Sequence, residues 1–198
     1  MISTPHIQHH QVGFSLVELI TTVSILGILS SIALVNLSSS WTSTRLSSTT
    51  RGLENWLSDQ RRYAMTHNLT CLITIDHTNK RLISTLYGSE NSEPCTNTSP
   101  NASADVFDLA AEFGAGDNKL ALESTPSTDP SQTDGGILFS LQGLSQNHQL
   151  SSEGVLELRL THADLQQQRC IRIISPIGMI RDGRSKNSES KCHYDKTI

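Results

Sequence analysis

The chain has 198 residues, 19 Asp or Glu against 15 Lys or Arg, and a formal net charge of −4. That length suits one folded domain plus an appendage and is ample for a sizeable core, while the acid excess excludes a general affinity for nucleic acid. Charge is nevertheless uneven: nine acids and one lysine lie between Tyr87 and Gly135, whereas seven Lys or Arg and three acids lie from Arg169 onward, so a polyanion would meet the tail.

In chain order, the first 13 residues, "MISTPHIQHHQVG", hold three histidines and no Lys or Arg. An apolar run of 24 residues follows, Phe14 to Leu37, with Glu18 as its one ionisable side chain. As a helix it would reach roughly 36 Å against a hydrocarbon core of about 30 Å, so it can span a membrane. A carboxylate inside such a span costs roughly 2.5–3.5 kcal/mol and so has a task or a partner. Three readings compete for this run. A secretory signal peptide needs a basic n-region and a shorter apolar core, and Glu18 does not suit it, although Ser38 and Ser40 resemble a cleavage site. A plain signal anchor explains the length but neither Glu18 nor Gly13. A type III signal, cut before the apolar run, accommodates both.

Beyond the run, Leu46, Leu53, Trp56, Leu57 and Ala64 recur near i, i+3, i+4 and i+7, while Arg51, Glu54, Asp59 and Arg62 face elsewhere. The spacing predicts one helix from about Phe14 to about Thr66, with Gly52 and the hydroxyl residues lowering its propensity. The period then changes. "TCLITID", the turn "HTNK" and "RLISTLY" read as a hairpin, and the Ser-, Asn- and Pro-rich stretch 88–104 as a loop that Cys95 tethers. "DVFDLAAEF" and "KLALES" are short, weakly patterned elements, and "PSTDPSQTDGG" is a loop. "ILFSLQ", "GVLELRL" and "RCIRIIS" are better strands. The expected fold is α+β: a long N-terminal helix packed on an antiparallel sheet or sandwich. The expected organisation is a leader (1–13), a membrane-spanning helix (14–37), its amphipathic continuation (38–67) and a β-rich domain with a basic tail (68–198).

Cysteines number four, Cys71, Cys95, Cys170 and Cys192, with no Cys-x-x-Cys spacing and no paired histidines beside them, so no zinc site is expected. An oxidising compartment would favour two disulfides. Three pairings are open, and the sequence-local pairs Cys71–Cys95 and Cys170–Cys192 are the expectation. No catalytic constellation emerges: His67, His77, His148, His162 and His193 are scattered, and neither a Gly-x-Ser-x-Gly elbow nor a phosphate-binding Gly-x-x-x-x-Gly-Lys loop occurs. Neither enzymatic activity nor a cofactor is expected.

The stretch "GFSLVELI" resembles the prepilin signature of type IV pilins and type II secretion pseudopilins: a glycine before the cut, an aromatic after it and a glutamate fifth after it. Gly13, Phe14 and Glu18 fill those places. The resemblance implies cleavage between Gly13 and Phe14 by an aspartic prepilin peptidase, N-methylation of Phe14, and pairing of Glu18 with the Phe14 amine of a neighbouring subunit. It also implies an inner-membrane protein with a periplasmic domain that later joins a pilus or pseudopilus with other pilins. Two departures stand out. The leader lacks the usual basic residues, weakening the positive-inside cue, and Val35 stands where many major pilins have a kinking proline.

Farther along, "GLENWLSDQRRYAMTHNLTCLITI" is similar to the helix-to-strand passage of the GspH/FimT group of minor pilins, with Arg61 and Ala64 at its arginine and alanine positions. "GGILFSLQGLSQ", "GVLELRL" and "CIRIISPIGMIRDGR" resemble its later strands and its C-terminal element. Two functions follow from this resemblance. One is a structural minor subunit that initiates or primes filament assembly; the other is a DNA-binding minor pilin serving uptake. The latter uses a Gly-Arg-x-Arg motif, which reads "GMIR" here, with Met179 replacing the first arginine. Arg181 carries over, and Arg184, Lys186 and Lys191 are the residues that would supply further phosphate contacts.

Overall fold

Apolar spacing and an unbroken absence of proline produce α1, Leu16–His67, a 52-residue helix. The computed structural model describes residues 13–89, 93–95, 105–114, 118–125, 136–142, 145–146, 154–186 and 191–194; the side chains of 31–38 and of 145–146 are outside that description. The leader before Gly13, the side chain of Val35, His148, and most of the loops expected at 88–104 and 126–136 therefore lie outside the described residues. Two compact units make up the chain, Met1–Ser40 and Trp41–Ile198, and α1 contributes to both.

In the first unit, Phe14, Leu16, Val17, Leu19, Ile20, Val23, Ile25, Leu26, Ile28 and Leu29 are all exposed, so the apolar surface runs around the helix rather than along one face. Its hydroxyls turn inward: Thr21 Oγ1 donates to the Glu18 carbonyl (2.9 Å), Ser24 Oγ to Ile20 (2.8 Å) and Ser30 Oγ to Leu26 (2.7 Å). Such back-bonding satisfies a hydroxyl without water. Among the described residues, no helix is long and apolar enough to cross a membrane.

In the second unit, α1 presents Leu46, Thr49, Thr50, Leu53, Leu57, Gln60 and Ala64 as a buried stripe. Two five-stranded antiparallel sheets complete this unit. The strands are β1 (Cys71–Asp76), β2 (Arg81–Leu86), β3 (Asp105–Asp108), β4 (Leu120–Thr125), β5 (Gly136–Phe139), β6 (Ser145–Gln146), β7 (Val155–His162), β8 (Gln167–Ile174), β9 (Met179–Lys186) and β10 (His193–Tyr194). One sheet runs β3-β2-β1-β5-β6 and the other β10-β9-β8-β7-β4. Alternation fixes what each buries: Ile73, Ile75, Leu82, Phe107, Ile137 and Phe139 from the first, Leu122, Leu156, Leu158, Leu160, Ile171 and Ile173 from the second, in one core with the helix stripe. Each such side chain contributes about 1.5–3 kcal/mol on burial.

Several polar groups in this core are matched, although Trp56 Nε1 has no partner among the described residues. Gln60, inaccessible on α1, donates from Nε2 to Asp105 Oδ2 (2.7 Å) and accepts from Ser84 Oγ at Oε1 (2.7 Å), tying the helix to β2 and β3. His77, in the β1–β2 turn, reaches the Leu122 carbonyl of β4 through Nδ1 (3.1 Å). A carbonyl only accepts, so that nitrogen carries the proton. Disulfides join Cys71 to Cys95 and Cys170 to Cys192, with Cα separations of 5.7 and 6.4 Å.

One expectation gains detail and one needs correction. The segment "DVFDLAAEF" divides into β3 and the short helix α2 (Leu109–Phe113), because Asp108 caps that helix by accepting from the amides of Ala110 and Ala111 (3.0 Å each). More consequentially, much of the basic tail is no tail: Met179–Lys186 is a full strand paired with β8 along its entire length. Its residues lack apolar alternation, and its ladder with β8 overrides that weak local pattern.

Candidate functional site

Three groups of expected site residues can be located, and they lie in different places. The N-terminal group is linear. Gly13, Phe14 and Ser15 precede α1, whose first turn contains Glu18. There a carboxylate meets the positive end of the helix dipole. Phe14 is 80% exposed, and a Cβ added at Gly13 would meet nothing within 4 Å. Folding of the described residues therefore places no demand for glycine at position 13. Among the described residues, the Glu18 carboxylate makes no ion pair, and its carbonyl is occupied by Thr21. Near the other end of α1, Ala64 is fully buried and Arg61 half-buried, with its Nε unpartnered among the described residues.

The C-terminal basic residues do not form one surface. The register pairs Arg172 with Arg181, Arg169 with Arg184, and Gln167 with Lys186, without interruption. Strand side chains alternate, so Arg181 stands on the opposite face of the sheet from Arg184 and Lys186. Lys191 is exposed in the bend before β10, its carbonyl accepting from Ser185 Oγ (2.9 Å).

On the Arg181 face, Glu157 is only 8% exposed and gathers three partners. Arg159 Nε donates to Oε1 (2.7 Å), Arg172 approaches Oε2 (3.5 Å), and Tyr194 Oη donates to Oε2 (2.6 Å). The Arg172 guanidinium also lies over the Tyr194 ring, 4.1 Å from its centroid. Burial first, then the hydrogen bond to Glu157 and its charge, push the Tyr194 phenol above its ordinary value. Gly183 makes this possible: a Cβ there would sit 2.7 Å from the Tyr194 ring and 2.9 Å from the His193 carbonyl oxygen. Glu157 also lies beside Cys170 and Cys192, but those sulfurs are bonded to each other and offer no thiolate to a metal. The sequence signal for this cluster was slight: Glu157 and Arg172 are simply charged positions in otherwise apolar strands.

From the other face Gln167, Arg184, Lys186 and His193, with Ser185 between them on β9, line a concavity of about 390 Å³. Arg169 stands beside Arg184; burial first, then the Arg184 charge, hold its guanidinium below its ordinary value, and Asp182 opposes this. Gln167, Arg169 and His193 join this cluster only through the strand ladders, being up to 26 positions apart in sequence.

Comparison with known proteins finds likeness in the N-terminal motif and in the fold. A model of the prokaryotic N-terminal methylation motif matches residues 9–34. The minor pseudopilin EpsH from the type 2 secretion system of Vibrio cholerae is similar in structure, with a TM-score of 0.50 at 10% identity, covering 73% of this chain and 99% of that one. The type IV minor pilin FimU of Pseudomonas aeruginosa gives a TM-score of 0.48 at 14% identity, with 76% and 94% covered. No curated protein matches the chain in sequence.

Proposed function

We propose that this chain, pilin-like in its N-terminal motif and in its fold, is a minor structural subunit that primes assembly of a pilus or secretion pseudopilus. The observation that carries the reading is the order Gly13, Phe14, Glu18 at the head of a helix with apolar surface all round. In this reading the apolar half of α1 is held first in the inner membrane and then in the filament core. The inward-turned hydroxyls of Thr21, Ser24 and Ser30 support it, because they need no water there.

Gly13 has its reason outside the fold. A prepilin peptidase would add water across the Gly13–Phe14 bond, leaving a carboxylate on the leader and an amine on Phe14, which then receives a methyl group. A residue without a side chain gives close access to that bond. The new amine is positive, and Glu18 is the carboxylate within reach of a neighbour's. Pairing the two offsets the cost of burying either alone and sets the axial register between subunits.

Glu18→Val tests this directly. The variant should still lose its leader yet support filament formation at less than about a tenth of the wild-type level, since one unpaired buried charge costs several kcal/mol. Normal filament numbers, counted by electron microscopy or shear-fraction immunoblot, would remove Glu18 from assembly. The alternative, a DNA receptor, loses support from the division of Arg181 and Arg184 between two faces, which leaves no continuous basic stripe along β9.

A further inference from the structure

The basic concavity on the second sheet has no role in the filament reading, which depends on the N-terminal helix. Arg169 and Arg184 are direct cross-strand neighbours, as are Gln167 and Lys186, and Arg184 and His193. Like charges placed opposite each other destabilise a sheet, and Asp182 offsets the Arg184 charge at Arg169 only in part. Neither Arg184 nor Lys186 makes a salt bridge among the described residues, and both are exposed around the 390 Å³ hollow.

We propose that this face receives an acidic peptide segment of a partner protein, its carboxylates seated against Arg169, Arg184 and Lys186, with Gln167 and His193 as flanking polar contacts. Several observations favour carboxylates on a peptide over a nucleic-acid backbone. The basic patch is short and concave, and Asp182 projects from the same face of β9 as Arg184 and Lys186. Glu54 of α1 lies close enough for Asp182 to raise its pKa, after the larger effect of burial. The arginines that would extend a stripe, Arg159, Arg172 and Arg181, are on the far face, and the first two are engaged by Glu157. A duplex carries one charge per about 1.7 Å and would meet these acids as well as the cations. Extended peptides, by contrast, place alternate side chains on one side about 6.8 Å apart, the same spacing as Arg184 and Lys186 along β9.

The test uses the full-length chain in non-ionic detergent at low salt and a fluorescein-labelled heptapeptide of alternating glutamate and serine, read by anisotropy. Saturable binding is expected, and it should weaken about tenfold in Arg184→Gln/Lys186→Gln and about threefold in Lys186→Gln alone, as two partly exposed charge contacts predict. Arg181→Gln on the opposite face should change it by less than about twofold. Equal binding of a glutamine-for-glutamate peptide, equal loss in Arg181→Gln, or no saturable binding would overturn the proposal. So would tighter binding of a duplex than of the peptide at equal charge concentration, which would make the face a nucleic-acid site. The readout needs no filament, so its failure is separable from failure of the assembly role.

Discussion

Tyr194 illustrates how a single residue near the C-terminus organises one face of the protein. Its hydroxyl reaches Glu157, its ring carries the Arg172 guanidinium, and Gly183 leaves room for it beneath. A phenol held above its ordinary value keeps its proton in the folded state at a pH where the unfolded chain releases it. Its contribution is therefore complete below the unfolded value of about 10 and is lost as pH rises beyond it. Tyr194→Phe should lower stability at neutral pH by about 1.5–3 kcal/mol, the worth of a hydrogen bond to a charged group. It should also flatten the loss above pH of about 10. Denaturant melts of both proteins across that range check this; parallel alkaline curves would contradict it. Nothing in "CHYDKTI" announces this cluster, because Tyr194 meets Glu157 only after four strands have been laid side by side. Gly13, Phe14 and Glu18, by contrast, form a linear motif and are legible without a fold.

At the scale of elements, the long helix and the β1–β2 hairpin follow directly from spacing. Leu46, Leu53, Leu57 and Ala64 are buried as their period requires, while Trp56 is only partly so, its ring 5.9 Å from Phe107. Thr49, Thr50 and Gln60 share the buried stripe although their polarity suggested otherwise; Thr50 back-bonds to the Leu46 carbonyl and Gln60 bridges Asp105 and Ser84. Strand β9 was the element least visible in sequence. The face that carries Ile180 continues with Asp182, Arg184 and Lys186, all exposed, so no apolar alternation marks it; its eight pairings with β8 supply what pattern does not. Gly52 offers a test of the helix itself. A Cβ there would lie 3.5 Å from the Phe107 ring, an ordinary contact, so Gly52→Ala gains helix propensity without a clash. It should stabilise the second unit by about 0.5–1 kcal/mol, measured by thermal or denaturant unfolding. A destabilised variant would mean that Phe107 packs against the helix more tightly than the structure has it.

For the molecule as a whole, charge, fold and N-terminal chemistry divide the work. The two sheets and the inner face of α1 bury a core stapled by two disulfides, which close loops with sequence separations of 24 and 22 and so constrain the unfolded chain to a similar extent. The described side chains from Phe14 to Leu29 keep their apolar surface exposed, and the second sheet offers a basic hollow at its β8–β10 end. Grouping Arg181, Arg184, Lys186 and Lys191 as one basic tail was natural in sequence, but the two-residue period of β9 separates Arg181 from Arg184 and Lys186. The central claim is that this chain is made as a precursor and matured at Gly13. Intact-mass and N-terminal sequencing of the full-length protein, co-expressed with a prepilin peptidase, test it most directly. The mature chain should begin at Phe14 and carry one added methyl group on its amine. A chain that still begins at Met1, or one cut after Ser38 or Ser40 as a secretory signal would be, contradicts it.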